Sequence, residues 1–456
     1  MHQAYQTQPK LRDCWLDLDH ARELKTVSDL LDLQPLISEL ILRDLRATGG
    51  AKRARTGAGG MTAEQVVRAL LIKQMNGFSY RELAFHLADS RTYRTFCRLG
   101  VTEATPSKST LAANIKALRA ETLEQVHRLI LSVAEASGVE RGQKVRVDCT
   151  VVETSIHAPT DSSLLLDCVR VLTRLMRQAQ ELLGGDEILF HNRTRRAKRR
   201  YREIGSARRK ARRLRAYRDL IRVTEEVSGW AQHSVKVLHQ AGTGDALQAS
   251  AARALGLQLT HFLELTDTVL TQTRRRVLLG ESVPAAEKLV SIFEDHTDII
   301  RKDPRDTLYG HKICLTGGRS SMILDCVVLE GNPADSTLAQ QMIERQGEIY
   351  QRPPRQAVFD GGFASRDNLH AIKSNGVQDV AFAKRAQLAI SDMVRSAWVY
   401  KRLRNFRAGI EGNISFLKRI FGLDRCSWKS FPSFQSYVWS SILSFNLLVL
   451  ARHLLV

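Results

Sequence analysis

Residues 144–154 read KVRVDCTVVET. Apolar and polar side chains alternate along them, with Val145, Val147, Cys149 and Val151 on one face and Arg146, Asp148 and Thr150 on the other. A period of two predicts a β-strand. It also places an acid on a strand that otherwise builds a core, and such a charge is costly unless it meets a cation. Downstream the same strand signal returns at HKICLTGG (311–318), SMILDCVVLEG (321–331), QAVFD (356–360) and DVAFAK (379–384). Helical patterns lie between, at STLAQQMIERQGEIY (336–350) and SRDNLHAIKSNG (365–376), and a final helical stretch covers 405–421. This order predicts a mixed α/β core.

On both sides of the first strand the pattern is helical. Residues 1–60 combine helical apolar spacing (Leu30, Leu31, Leu33, Leu36, Ile37, Leu40, Ile41) with ATGGAKRARTGAGG (47–60), which reads as a flexible basic linker. Residues 61–140 form a second helical unit. Thr62 with Gln65 and Ser79 with Glu82 have capping-box spacing, a tight turn is expected at Gly77, and a third helix follows TPSKST (105–110). Short helices joined by tight turns suit a helix-turn-helix and equally suit any small bundle. From Asp161, expected as a helix N-cap, an almost proline-free helical run extends to about Ile300, so residues 161–299 read as a helical insertion. The core is then 141–160 with 300–430, and 431–456 is an apolar run that Ser440, Ser441, Ser444, Asn446 and Arg452 interrupt. It reads as a buried core helix rather than a membrane span.

Of the 456 residues, 68 are Lys or Arg and 48 are Asp or Glu, a formal net charge of +20 that favours a polyanionic partner. Residues 193–218 concentrate this charge, with 14 Lys or Arg against the single acid Glu203 and with Tyr201 and Tyr217 interleaved. The run reads either as a solvated arm or as a helix lying along phosphates through Arg195, Arg196, Arg199, Arg200, Arg208, Arg209 and Arg212; displacement of counterions from a nucleic acid relieves its repulsion. The seven cysteines show no Cys-x-x-Cys pair, which argues against a zinc site or disulfide framework. MHQAYQTQPKLRDCW lacks a signal peptide's apolar core, so a cytoplasmic, nucleoid-associated protein is expected. GTGDALQ (242–248) and TGGRSS (316–321) lack the Lys-Ser/Thr of a nucleotide-binding loop.

Phosphodiester chemistry with magnesium needs oxygen ligands from separate elements converging on two ions. Asp148 on its strand, Asp360 closing AVFD before Gly361-Gly362, and Glu411 are the candidates. Each also has a plain structural reading: Asp148 as a partner of Arg146 or another arginine, Asp360 as a cap, Glu411 in a surface ion pair. Glu411 lies in YKRLRNFRAGIEGNISFLKRIFG (400–422), with Ile410, Ile414, Leu417 and Phe421 as a buried stripe and Arg407, Glu411 and Lys418 along one face beside it.

The spacing Arg407-x3-Glu411-x6-Lys418 resembles the Tyr-x2-Arg-x3-Glu-x6-Lys motif of a large group of bacterial insertion-sequence transposases of the DDE class. Asp148 in VDCT and Asp360 in FDGGF resemble the first and second aspartates of those families. DCTVVETSIHAPTDSSLL (148–165) looks most like the ISNCY group, and residues 61–87 look like its N-terminal helical domain. The resemblance covers the chain from about residue 60 onward. It implies an RNase H-like catalytic core, Mg²⁺ (or Mn²⁺) held by Asp148, Asp360 and Glu411, and DNA phosphates held by Arg407 and Lys418. The implied function is binding of terminal inverted repeats, then metal-dependent cleavage and strand transfer on double-stranded DNA, with the ends brought together by a homodimer and no membrane partner. The motif's tyrosine position holds Arg404, which is expected to contact DNA with Arg407 and Lys418, and Tyr400 lies one turn earlier. Rival readings are a purely hydrolytic nuclease of the same fold, a DNA-binding regulator with an inactive core, and an RNA-binding protein. His157 and His311 read as structural, Trp428 and Trp439 as core, and Asp325 as a reserve metal ligand.

Overall fold

The computed structural model describes residues 3–5, 15–56, 60–184, 187–240, 246–301, 306–384 and 386–455. Cys14, Gly57–Gly59 of the expected linker and the glycine turn at 242–245 lie outside them. The chain divides into two compact units, Met1–Ser155 with His311–Val456, and Ile156–Gly310.

The first unit begins with helices α1 (Asp19–Asp32), α2 (Leu36–Thr56), α3 (Ala63–Asn76), α4 (Tyr80–Asp89), α5 (Arg91–Phe96), α6 (Lys108–Lys116) and α7 (Ala120–Ala136). Both capping boxes form: Thr62 and Gln65 exchange bonds at the start of α3, and Ser79 and Glu82 do so at α4. Gly77 ends α3 at φ +65°, a left-handed conformation in which glycine carries no steric penalty. Where a linker was expected from residue 47, α2 instead continues to Thr56. Ala47, Ala51, Lys52, Arg53, Ala54 and Arg55 are strong helix formers, and they outweigh the Gly49-Gly50 pair.

Strand β1 (Lys144–Thr154) follows and leads into the second unit. That unit holds α8 (Asp161–Leu183), α9 (Thr194–Ser206), α10 (Lys210–Gln240), α11 (Ala246–Thr273) and β2 (Asp298–Arg301), which pairs antiparallel with the first residues of β3 (Thr307–Gly317). Its core is built by Leu165, Leu172, Met176, Leu220, Val227 and Leu259. The cap of α8 is Thr160, whose Oγ1 accepts from the Ser163 amide at 3.1 Å; Asp161 is the first helical residue and pairs with Arg276 at 3.0 Å. Threonine here has the extended backbone that a cap requires.

The chain returns to the first unit along β3 and continues through β4 (Ile323–Val328), α12 (Ala339–Tyr350), β5 (Gln356–Phe359), α13 (Arg366–Ser374), β6 (Asp379–Phe382), α14 (Ile390–Met393), α15 (Ala397–Ile420), β7 (Arg425–Cys426) and α16 (Phe431–Leu455). In this unit the strands run β4-β3-β1-β5-β6, with β7 against the end of β1. β3 and β4 are antiparallel, while β1, β5 and β6 are parallel. Helix α15 packs on β1, β5 and β6.

Helix α16 is apolar and long enough to cross a membrane, yet it packs against α1, α3, α7 and β4. Its polar residues are met inside the protein: Asn446 accepts from the Ile323 amide at 2.9 Å, and Ser441 accepts from Gln74 at 2.8 Å. One continuous core therefore runs from Leu24 and Leu70 through Ile130 and Val147 to Phe359 and Leu443. The boundaries read from the sequence at 60/61, 140/141 and 430/431 do not separate compact units. The elements on either side of each share that core, and no single one could bury its apolar face alone.

Candidate active site

The register of the parallel pair builds the site. Val145 lies opposite Ala357 and Val147 opposite Phe359. The same register carried one residue further sets Asp148 beside Asp360, where β5 ends. The chain can turn there because Gly361 and Gly362 lack side chains. A Cβ on Gly361 would lie 2.9 Å from Lys384, and one on Gly362 2.8 Å from Asp335.

Helix α15 crosses this strand end and brings Arg407 and Glu411. The Arg407 guanidinium lies 3.5 Å from Asp148, 3.2 Å from Asp360 and 2.6 Å from Glu411, so one cation joins three carboxylates from three elements. The side chains of Asp148 and Arg407 are each 18% exposed, while Asp360 and Glu411 are more open to solvent. The Asp148 carboxyl is pushed up to about 6. Burial is the main cause, Asp360 and Glu411 add to it, and the Cys149 amide and Arg407 oppose it. The Arg146 pairing considered for Asp148 is not formed; Arg146 donates to the Phe406 carbonyl at 3.0 Å.

Other residues singled out from the sequence are placed as follows. Lys418 donates to the Val151 carbonyl at 2.8 Å, tying the end of α15 to β1 beyond Asp148. Arg404 lies over the Tyr400 ring, and Tyr400 is buried with its hydroxyl donating to the Phe382 carbonyl at 2.9 Å. Asp325, the reserve ligand, is 1% exposed and held by Arg345 at 2.6 and 2.8 Å, which makes it half of a buried ion pair. His311 is buried against Phe431 and Phe434, and His157 meets Asp167 at 2.7 Å. Trp428 and Trp439 are buried.

In the second unit the basic run folds as α9 and the start of α10. Arg196 and Arg200 turn onto Asp219, and Arg212 onto Glu203 at 3.1 Å. Arg195, Arg199, Arg208 and Arg209 are exposed and have no ion-pair partner among the described residues. Tyr217 is 8% exposed, so only Tyr201 of the two interleaved tyrosines faces solvent.

The sequence reading considered Arg146 only as a partner for Asp148; it is 4% exposed and instead threads between Gly317 and Gly409. A Cβ on Gly409 would collide with its guanidinium. A glycine in mid-helix, opposite an arginine on a buried strand, was the available signal.

Two strand-end aspartates and a helical glutamate thus converge on one guanidinium. Residues 12–117 match the family model of a transposase domain (DUF772), and residues 305–447 match that of a transposase DDE domain. Asp360 and Glu411 fall inside the second match, and Asp148 lies between the two. No curated protein and no solved structure matches the chain. The chain belongs to the DDE class of insertion-sequence transposases, enzymes that cleave DNA and transfer its strands.

Proposed function

We propose that this transposase cuts and joins the ends of its insertion sequence at Asp148, Asp360 and Glu411, in an RNase H-like core, with divalent metal ions of the Mg²⁺ or Mn²⁺ type. The observation that carries this reading is the convergence of those three carboxylates on Arg407. The sheet order β4-β3-β1-β5-β6, antiparallel on one side and parallel on the other, supports the RNase H-like assignment.

The donor chemistry fits such ions. Hard divalent cations prefer carboxylate oxygens, and three crowded carboxylates with one raised to about 6 are short of positive charge. Among the described residues no group of three metal-type side chains is spaced to hold an ion as it stands, because the acids close on Arg407. Arg407 therefore has to withdraw as metal enters, and its guanidinium is then free for a DNA phosphate. When bound, the metal supplies activation of the attacking hydroxyl and stabilisation of the leaving oxygen. Asp148 and Asp360 hold it from adjacent strand ends, Glu411 completes the set from α15, and Lys418 fixes that helix to β1.

The remaining assignments extend the reading. Residues 61–140 bind the terminal repeats, and the exposed Arg195, Arg199, Arg208 and Arg209 track phosphates. Two copies act on a pair of ends, and the likeness of the DCTVVETSIHAPTDSSLL segment to the ISNCY group supports placing the chain there. The test is nicking of labelled DNA carrying the element's ends, with Mg²⁺, Mn²⁺ or chelator, by the wild type and by Asp360→Ala. Metal-dependent cutting that disappears in the variant while DNA binding stays is the expected result. Tight end binding with no cutting by either protein favours the regulator with an inactive core.

A further inference from the structure

Along α15 from the carboxylates, the start of that helix and the beginnings of β1 and β5 enclose a cleft of about 730 Å³. Apart from Glu140, its charged lining is cationic and includes Lys144, Arg146, Arg319, Arg355 and Arg402, and one wall carries Trp398. Glu140 does not neutralise it. Its oxygens are taken by the amides of Arg141 and Gly142 at 3.0 Å and by the amide and hydroxyl of Ser320 at 2.8 and 2.7 Å.

Three features show a site built for an anion. First, the Arg146 guanidinium is buried, yet its Nε and Nη2 have no hydrogen-bond partner among the described residues. A buried cation with two unmet donors is expected where a ligand completes it. Second, Lys144 lies 4.4 Å from the Phe406 ring centroid; burial first, then Arg402, Arg319 and Arg146, hold its pKa below the ordinary lysine range. Its neighbours already crowd the cleft with positive charge. Third, Arg319 and Arg402 are exposed without an ion-pair partner among the described residues.

Trp398 makes the ligand more specific. It is 63% exposed, an unusual cost for an indole, and Arg402 stacks 4.5 Å from its ring centroid. A flat aromatic face beside several guanidinium groups matches a nucleic-acid base joined to its phosphates. In a duplex the base faces are covered by their neighbours, so an indole can stack only on a base that has left the helix. The cleft volume falls in the range of about 300–1,000 Å³ typical of small-ligand sites, which admits a nucleotide or two of one strand and no duplex.

We propose that this cleft binds a single DNA strand, with an unpaired base on Trp398 and its phosphates on Arg146, Arg319 and Arg402. The proposal deepens the reading of the chain as a DNA-cutting enzyme and rests on it for the choice of DNA. It assigns to the first unit a strand-binding site separate from the carboxylates.

The test uses the full chain in the presence of chelator, so that it does not depend on cutting. A thymidine octamer carrying 5-iododeoxyuridine is irradiated with the protein, and the crosslinked peptide is identified by mass spectrometry. The crosslink is expected at Trp398, within the tryptic peptide Ser396–Lys401, and is competed by unlabelled octamer but not by blunt duplex. Trp398→Ala removes the crosslink and weakens octamer binding about tenfold, while Trp398→Phe restores binding. Arg319→Glu and Arg402→Glu each weaken binding and flatten its salt dependence. Both lie at exposed positions, so folding is preserved. The proposal is overturned if crosslinks fall only elsewhere, if duplex competes as well as the octamer, if uridine RNA binds more tightly than the DNA, or if Trp398→Ala binds like the wild type. Loss of cutting by the carboxylate variants leaves all these outcomes unchanged, so the two readings fail separately.

Discussion

Replacing Arg345 with methionine removes the cation that holds Asp325. Asp325 is 1% exposed on β4, and both its oxygens are given to Arg345, at 2.6 and 2.8 Å. The other acid on Arg345, Glu124, keeps Arg128 at 2.8 Å, so the damage concentrates on Asp325. Leaving one partner of a buried pair uncompensated costs about 3–5 kcal/mol. The Arg345 side chain is 23% exposed, so water reaches its side of the pair and the lower end applies. With a urea dependence near the upper end of roughly 1–3 kcal/mol/M, the midpoint should fall by about 1 M. The double variant Asp325→Leu/Arg345→Met removes both charges and should return to within about 1 kcal/mol of the wild type, since buried pairs replaced by apolar residues are often neutral. Urea unfolding followed by tryptophan fluorescence in a Trp230→Phe background measures this. Trp15, Trp398, Trp428 and Trp439 then all report on the first unit. If the double variant is as unstable as Arg345→Met, or if Arg345→Met costs nothing, the ion-pair account is wrong. If instead the double variant is stable but no longer cuts, Asp325 belongs to the chemistry.

Lys73 is 6% exposed beside the rings of Tyr80 and Trp428, and burial lowers its pKa to about 8. The unfolded chain, with an ordinary lysine, binds more protons between pH 8 and about 10.5, so this group makes the wild type gain stability as pH rises through that window. Lys73→Met should be more stable at pH 7 by on the order of 2 kcal/mol, and the difference should vanish towards pH 10 in paired denaturation curves. Gly409→Ala should lower stability by about 1–3 kcal/mol despite alanine's better helix propensity, because its methyl meets the Arg146 guanidinium. Adding Arg146→Leu should recover most of the loss in thermal unfolding, and no recovery would refute the clash. In the second unit, hydrogen bonds from Arg196, Arg200 and Arg222 hold the Asp219 carboxyl well below the usual carboxylate range. Its stabilisation is therefore present above about pH 4 and is lost as the solution is acidified below that. Trp230 fluorescence on acidification should show the transition, and Asp219→Asn should shift it or abolish its pH dependence.

Much of the secondary structure was legible because its causes are local. The alternation in KVRVDCTVVET fixed β1 to the residue, and the Thr62/Gln65 and Ser79/Glu82 pairs marked the starts of α3 and α4. Helices α5 and α7 were not separated from their neighbours, because short turns without glycine or proline leave little trace. Helix α2 was read too short because Gly49-Gly50 was weighted above the alanines and arginines around it. At the site, the sequence singled out Asp148 and Asp360 as acids placed where a core should be, and Glu411 as an acid on a helix face beside a buried stripe. It gave no means of knowing that Arg407, rather than Arg146, would serve all three.

The sequence alone determined the alternation of strands and helices, the acids on strand ends and helix face, and the excess of positive charge, since each is written in the spacing or count of neighbouring residues. Tertiary structure decided the β1–β5 register that sets Asp148 beside Asp360, the crossing of α15 that brings Arg407 among the acids, and the burial of Arg146 with two donors unmet among the described residues. It also decided that the N-terminal helices and α16 share one core with the sheet. Pairing register and helix placement follow from burying all the apolar faces at once. A charged side chain then takes whichever partner that packing leaves within reach, and no local stretch of sequence encodes the outcome.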